Sequence, residues 1–185
     1  MRAELWHRGR FAFACLDESM RRPINRRQRA VWLYAGLSLL IIGFIFYNSL
    51  QNGPDSNAAS SRVMLLLKPI LDPWDRVPED VFHRSVRKLA HFTEFCALGL
   101  SLSALAGRLI WKKPPMTYYA PAILALAVAL TDEFIQRFTG RTSSLKDVAI
   151  DFAGALTGIV LVTVIRIRRA RRKARQDTKD DTEAL

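Results

Sequence analysis

Lys88, His91 and Glu94 follow one another at three-residue steps, which sets adjacent members side by side on a helix. Asp132 and Gln136 stand four apart, and Asp147 and Asp151 repeat that spacing, so each pair shares one helix face. With Glu133 and Arg141 these residues supply an imidazole, several carboxylates, an amide and two cations. Such a set suits a hydrated polar pocket that takes a phosphate, sugar or peptide headgroup. It also contains the ingredients of acid–base chemistry, with His91 as proton carrier and Asp151 or Glu94 to orient it.

These residues fall along apolar runs. Residues 31–47 are almost uninterruptedly apolar, and 118–131 are apolar with an extension to 138. Residues 148–165 carry one charge, Asp151, and 89–111 carry His91, Glu94 and Arg108. A hydrocarbon core about 30 Å thick needs roughly 20 mostly apolar residues per helix. The expected fold is therefore all-α, a polytopic membrane bundle of about four transmembrane helices. A charged side chain within a span costs about 2.5 to 3.5 kcal/mol on insertion scales, so such residues tend to be paired, turned into the bundle and functional.

The 185 residues divide by composition. Residues 1–30 form a basic cytoplasmic segment, 31–50 the first transmembrane helix, and 51–87 an outer loop. Residues 88–167 form a core of three transmembrane helices, and 168–185 a basic then acidic cytoplasmic tail. The first run is longer than the apolar region of a secretory signal and is expected to be retained. In the loop, 63–71 is too short to span and reads as interfacial, with Trp74 as a headgroup-level anchor. The tail after Arg175 is polar enough to be expected disordered.

The net charge of +11 does not point to nucleic acid. Arg21, Arg22, Arg26, Arg27 and Arg29 abut the first apolar run, and the arginines of 166–175 abut the last. That is the placement of membrane anchors attracted to anionic lipid, not of a readout surface. Arg108, Lys112 and Lys113 add a third cluster on the same side, and together they put both termini in the cytoplasm of a bacterial inner membrane. Arg62, Lys68, Arg76, Arg84, Arg87 and Lys88 lie on the outer side, partly offset by acidic residues. In this topology nearly every ionisable residue within the spans converges on one outer-leaflet patch. Cys15 and Cys96 make neither a disulfide framework nor a metal-type pair, and neither a cofactor nor a metal is expected.

Each element also has a plainer structural explanation. Lys88 and Glu94 would snorkel to the interface. Asp132 and Glu133 would close a helix end and pair with Arg137 or Arg141, and His91 would be a satisfied packing residue. Asp151 lies about a turn inside an apolar run, which calls for a buried partner: His91, Lys88 or Arg141. Gly154 and Gly158 form G-x-x-x-G, expected to pack within the bundle rather than to dimerise it. Ser144 and Asp147 fit a capping box that opens the last helix.

The stretch Lys88-Leu-Ala-His91-Phe92-Thr-Glu94-Phe-Cys-Ala-Leu98-Gly99 resembles the K-x-x-H-F-x-E-Y-x-x-L-G segment of the VanZ-like family. The stretch from Asp132-Glu133 through Gln136, Phe138, Gly140 and Arg141 to Asp147-Val148 resembles the D-E-x-x-Q-x-F and G-R parts of that family's next segment and its D-V end. Asp151 through Gly154 to Gly158 resembles its N-x-x-G-x-x-x-G ending. The similarity covers about Lys88 to Gly158. Phe95 stands in place of the usual Tyr, and Asp151 where the family more often has Asn, which makes the patch more acidic. The resemblance implies a small multi-helix membrane protein whose namesake gives low-level resistance to the glycopeptide teicoplanin.

Three functions compete on these residues. The first is binding of a polar or lipid-linked ligand at the outer leaflet, such as an envelope precursor or a lipoglycopeptide, with membrane lipids as the surrounding partners. Lys88 and Arg141 would then meet anionic groups. The second is an enzyme acting on a lipid-linked substrate, with His91 as acid or base and Asp132 and Glu133 as second base or metal ligands; no nucleophile motif accompanies it. The third, an ion-coupled carrier, lacks a visible inverted repeat.

Overall fold

A computed structural model describes residues 25–51, 68–70, 72, 76–110, 114–139 and 144–183. Arg141, Trp74, Cys15, Arg21, Arg22 and most of the interfacial segment 63–71 lie outside the described residues. Four long helices carry the fold: α1 (Arg26–Leu50), α2 (Glu79–Leu109), α3 (Pro114–Phe138) and α4 (Leu145–Glu183). Each is long and apolar enough to cross a membrane. The described chain is thus an all-α, multi-pass membrane bundle.

Helix ends follow local chemistry. Asn25 caps α1 in a reciprocal box: its side chain accepts from the first turn, and its own N–H donates to Gln28 Oε1 at 3.0 Å. The helix therefore starts at Arg26, within the segment read as basic and cytoplasmic. α2 begins at Glu79, with Glu79 and Asp80 placed favourably at the positive end of the helix dipole. The loop expected to reach residue 87 thus gives way to helix well before the apolar run begins, because apolarity marks membrane depth rather than helical conformation. Just ahead of α2, the Asp72 carboxylate accepts the N–H groups of Val77 at 2.8 Å and Arg76 at 3.0 Å. These two donors hold its pKa below the ordinary 3.8.

The C-terminal tail departs from expectation. α4 runs 39 residues without a break, about 58 Å at 1.5 Å per residue and roughly twice the hydrocarbon thickness. Residues 166–183 contain no Gly or Pro and many Arg, Lys and Ala, all good helix formers. A helix already nucleated in the membrane extends into such a sequence without a second nucleation cost.

Cross-contacts set the helix directions. Gly154 of α4 lies against Phe92 of α2, Gly158 against Cys96, and Arg166 against Gly107, so α2 and α4 run parallel. The carbonyls of Phe92 and Cys96 occupy the space a Cβ would need at Gly154 and Gly158, and the Ala155 carbonyl does the same at Gly99. The G-x-x-x-G pattern therefore packs inside the bundle, backbone against backbone. Asn48 of α1 meets Glu94 and Ser38 meets Ser101, so α1 is antiparallel to α2.

Ile45, Phe95, Leu98, Leu102, Ala125, Val128, Ala129, Val148 and Ala155 form the core. Outward, Trp32, Leu39, Leu40 and Phe44 on α1, Ile123 and Phe134 on α3 and Val160 on α4 are more than half exposed. In water that surface would be an aggregation hazard; against acyl chains it is the appropriate one. At the end holding the start of α1, arginines tie the helices together. Arg27 donates to the Arg108 carbonyl at 2.6 Å, the Arg108 guanidinium lies 4.5 Å from the Tyr34 ring centroid, and Arg166 donates to the Ser103 carbonyl. The opposite end holds the polar residues.

Candidate functional site

α2 is the hub of the polar end. Its three residues Lys88, His91 and Glu94 fan out to three other helices. Lys88 Nζ approaches Asp147 Oδ1 of α4 at 3.8 Å, with both side chains partly exposed. Glu94 Oε1 accepts from Asn48 Nδ2 of α1 at 3.1 Å. His91 turns inward, its Nδ1 4.0 Å from Asp132 Oδ2 of α3 and 3.9 Å from Asp151 Oδ1 of α4.

The two aspartates are buried: the Asp132 side chain is 0 % exposed and that of Asp151 2 %, against 18 % for His91. Asp132 is held from both sides. Ser49 donates its hydroxyl to Oδ1, and Gln136, one turn along α3, donates Nε2 to Oδ2 at 2.9 Å. The expected shared face of Asp132 and Gln136 is thus a direct hydrogen bond. Asp147 and Asp151 also share a face, but Asp147 faces Lys88 at the rim while Asp151 faces His91 beneath it. The Asp151 Oδ1 atom is buried and accepts no hydrogen bond. Among the described residues expected to partner Asp151, His91 is in place.

Glu133 has a structural task. Its Oε1 accepts the backbone N–H of Ser144, joining the end of α3 to the start of α4. Ser144 in turn caps α4, its Oγ accepting the Lys146 N–H at 3.1 Å. The expected capping box is therefore met on its serine side, while the Ser144 N–H goes to Glu133 instead of Asp147. Placing the carboxylate on the neighbouring helix makes the cap a tertiary contact.

A cavity of about 250 Å³ opens over this cluster. Arg84, Arg87, Lys88 and Lys146 line its mouth; His91, Gln136 and Asp151 reach it from within, and Ser144, Asp147 and Ile150 complete the wall. The arrangement is cationic at the rim and acidic with one imidazole at depth. An anion would be attracted to the rim and would meet a hydrogen-bonding, proton-exchanging floor. One ligand atom each from His91, Asp132 and Asp151 lie within 4.8 Å of one another, close enough to share a cation.

The candidates Lys88, His91, Gln136, Asp147 and Asp151 thus meet in one cavity, with Asp132 directly behind His91. Glu94 points instead to α1, Glu133 serves the α3–α4 connection, and Arg141 is outside the described residues. Asn48 and Ser49 have no signal in the sequence beyond standing at the boundary of the first apolar run. Arg84, Arg87 and Lys146 join the site as rim residues only in the structure. The signal for the arginines was their spacing: Arg84, Arg87, Lys88 and His91 fall on one side of a helix once α2 is known to start at Glu79.

The model of one protein family, described as VanZ/LLP1, matches residues 32–166. The match extends well beyond the motif-bearing stretch, taking in α1 and the connection to α2. Among curated proteins and among solved structures, nothing matches the chain. With all four helices of the bundle reached by the match, the chain belongs to the VanZ/LLP1 family.

Proposed function

We propose that this protein binds the anionic headgroup of a lipid-linked ligand at the outer leaflet of a bacterial inner membrane. The observation that carries this reading is the cavity at the polar helix ends, with Arg84, Arg87, Lys88 and Lys146 at its mouth and His91 and Asp151 at its depth. The exposed apolar helix faces beside it suit an acyl chain. The outward orientation rests on the arginines at the other end, Arg26, Arg27, Arg29, Arg108 and those of 166–175, by the positive-inside rule. A lipoglycopeptide such as teicoplanin combines an acyl chain with a polar head, and resistance to it belongs to this same reading.

Nanodisc-reconstituted protein titrated with farnesyl pyrophosphate and with farnesol tests the headgroup claim. Binding of the pyrophosphate at least about tenfold tighter than the alcohol, lost in Arg87→Ala/Lys88→Ala, is the expected result. Equal binding of both would end the reading. Orientation is tested separately by Lys146→Cys in a chain with Cys15 and Cys96 replaced. Labelling by an impermeant maleimide in intact spheroplasts places the mouth outside, and protection until lysis inverts it.

A second reading, catalysis, is favoured by the placement of His91 within 4.0 Å of two buried carboxylates. His91 would transfer a proton while water cleaves a lipid pyrophosphate to lipid phosphate and inorganic phosphate. Phosphate release above that of His91→Gln decides for it.

A further inference from the structure

The geometry points to a divalent-cation site in which His91 Nδ1, Asp132 Oδ2 and Asp151 Oδ1 are the three protein ligands. The imidazole nitrogen stands 4.0 Å and 3.9 Å from the two carboxylate oxygens, and one ligand atom from each of the three residues lies within 4.8 Å of the others. Ligands about 2.1 Å from a tetrahedral ion are about 3.4 Å apart, so side-chain adjustments of roughly half an ångström close the site. Each ligand comes from a different helix, and each sits on a regular segment rather than a loop.

The second observation is Asp151 itself. Its side chain is 2 % exposed and its Oδ1, directed at His91, accepts no hydrogen bond. A buried carboxylate oxygen left without a donor is costly, and coordination to a cation is one of the few ways to satisfy it. The supporting shell is also present. Ser49 and Gln136 donate to the two oxygens of Asp132, fixing that carboxylate as outer partners of metal ligands do.

One imidazole with two carboxylates and no thiolate selects a hard-to-borderline ion, Zn²⁺ or Mn²⁺, over a soft one. Two carboxylates balance the dipositive charge, which matters in a low-dielectric interior. Three protein ligands leave a coordination position open, and His91 and Asp151 both border the cavity. The cation would therefore be accessible from the rim. The inference concerns the buried cluster alone and does not depend on which ligand occupies the mouth.

The full-length protein in nanodiscs, stripped with chelator and dialysed against ZnCl₂ or MnCl₂, is assayed for bound metal by mass spectrometry. About one equivalent per chain is expected for one of the two ions, falling at least about tenfold in His91→Ala and Asp151→Asn and retained in Glu94→Gln. Because Asp151→Asn is nearly isosteric, thermal unfolding provides a second readout. The ion raises the melting temperature of the wild type and leaves that of Asp151→Asn unchanged. Wild-type protein that takes up no more of either ion than Asp151→Asn overturns the inference and leaves the cluster a buried polar contact between helices. Metal is read here without any lipid ligand, so this failure and a failure of headgroup binding are told apart.

Discussion

Ser49 and Asp132 are joined by a buried hydrogen bond across 83 residues of sequence, the hydroxyl at the end of α1 donating to a carboxylate on α3. The Ser49 carbonyl also accepts from Thr139 at 3.2 Å, so the last turn of α1 is held through both its side chain and its backbone by α3 and the residue that follows it. This is how α1, the helix with the least buried surface, is fastened to the polar end of the bundle.

Ser49→Ala removes a donor from a carboxylate with no access to water. A destabilisation of about 1–3 kcal/mol is expected, with Ser49→Thr closer to wild type. Denaturant unfolding in detergent micelles measures it. A Ser49→Ala protein as stable as the wild type would mean that the bond contributes nothing.

Gly154 and Gly158 should tolerate no side chain. Alanine at either position drives Cβ into the backbone carbonyl of Phe92 or Cys96, and backbone cannot move aside as a flexible side chain can. A loss of about 1–3 kcal/mol or more is expected for each, seen as a lower melting temperature and an aggregated elution profile. Gly36→Ala and Gly43→Ala, where nothing lies within 4 Å of the added carbon, should be neutral or slightly stabilising.

Lys88→Ala separates stability from binding. The Lys88–Asp147 pair is 3.8 Å apart with side chains 51 % and 35 % exposed, so its removal should change stability by less than about 1 kcal/mol. Affinity for an anionic headgroup should nevertheless fall, and rising salt should weaken wild-type binding in the same direction. Isothermal titration at two ionic strengths checks both.

Asp72 gives a pH dependence of defined sign. Its folded pKa lies below 3.8, so the turn it holds gains from ionisation above 3.8 and loses that gain as pH falls through the lower folded value. Hydrogen exchange at the Arg76 and Val77 amides should be slow and pH-independent in protection from pH 5 to 8, then accelerate relative to intrinsic rates in strong acid. Asp72→Asn should abolish the acid transition.

The number of helices and the gathering of ionisable residues at one end of the bundle could be read from the chain because membrane thickness imposes a length on apolar runs, and charge is costly within them. Asp151 is the clearest case: a single carboxylate in residues 148–165 had to find a partner, and of the three the sequence offered, His91 lies 3.9 Å away, while the sequence alone did not choose among them. Helix ends outside the membrane were not legible, because neither Glu79–Arg87 nor the tail after Arg175 carries an apolar signal, though both are helical. The role of Glu133 was hidden for another reason. Its partner is a backbone N–H that belongs to the next helix, and a sequence motif assigns such a cap locally.

His91, Asp132 and Asp151 stand on α2, α3 and α4, and this has a consequence for biogenesis. As the chain emerges from the ribosome, α1 and α2 precede the two helices that carry the aspartates. Asp132 finds Ser49 and His91 on the two helices that precede it in the chain, whereas the approach of Asp151 to His91 requires α4 to lie with its glycines against Phe92 and Cys96. The last helix therefore enters with its most costly side chain uncompensated, and docking on α2 and relief of that cost are one event. The Ser49–Asp132 bond joins α1 to α3 and the cavity needs the wall that α4 supplies, so the completed cluster records that all four helices are in place.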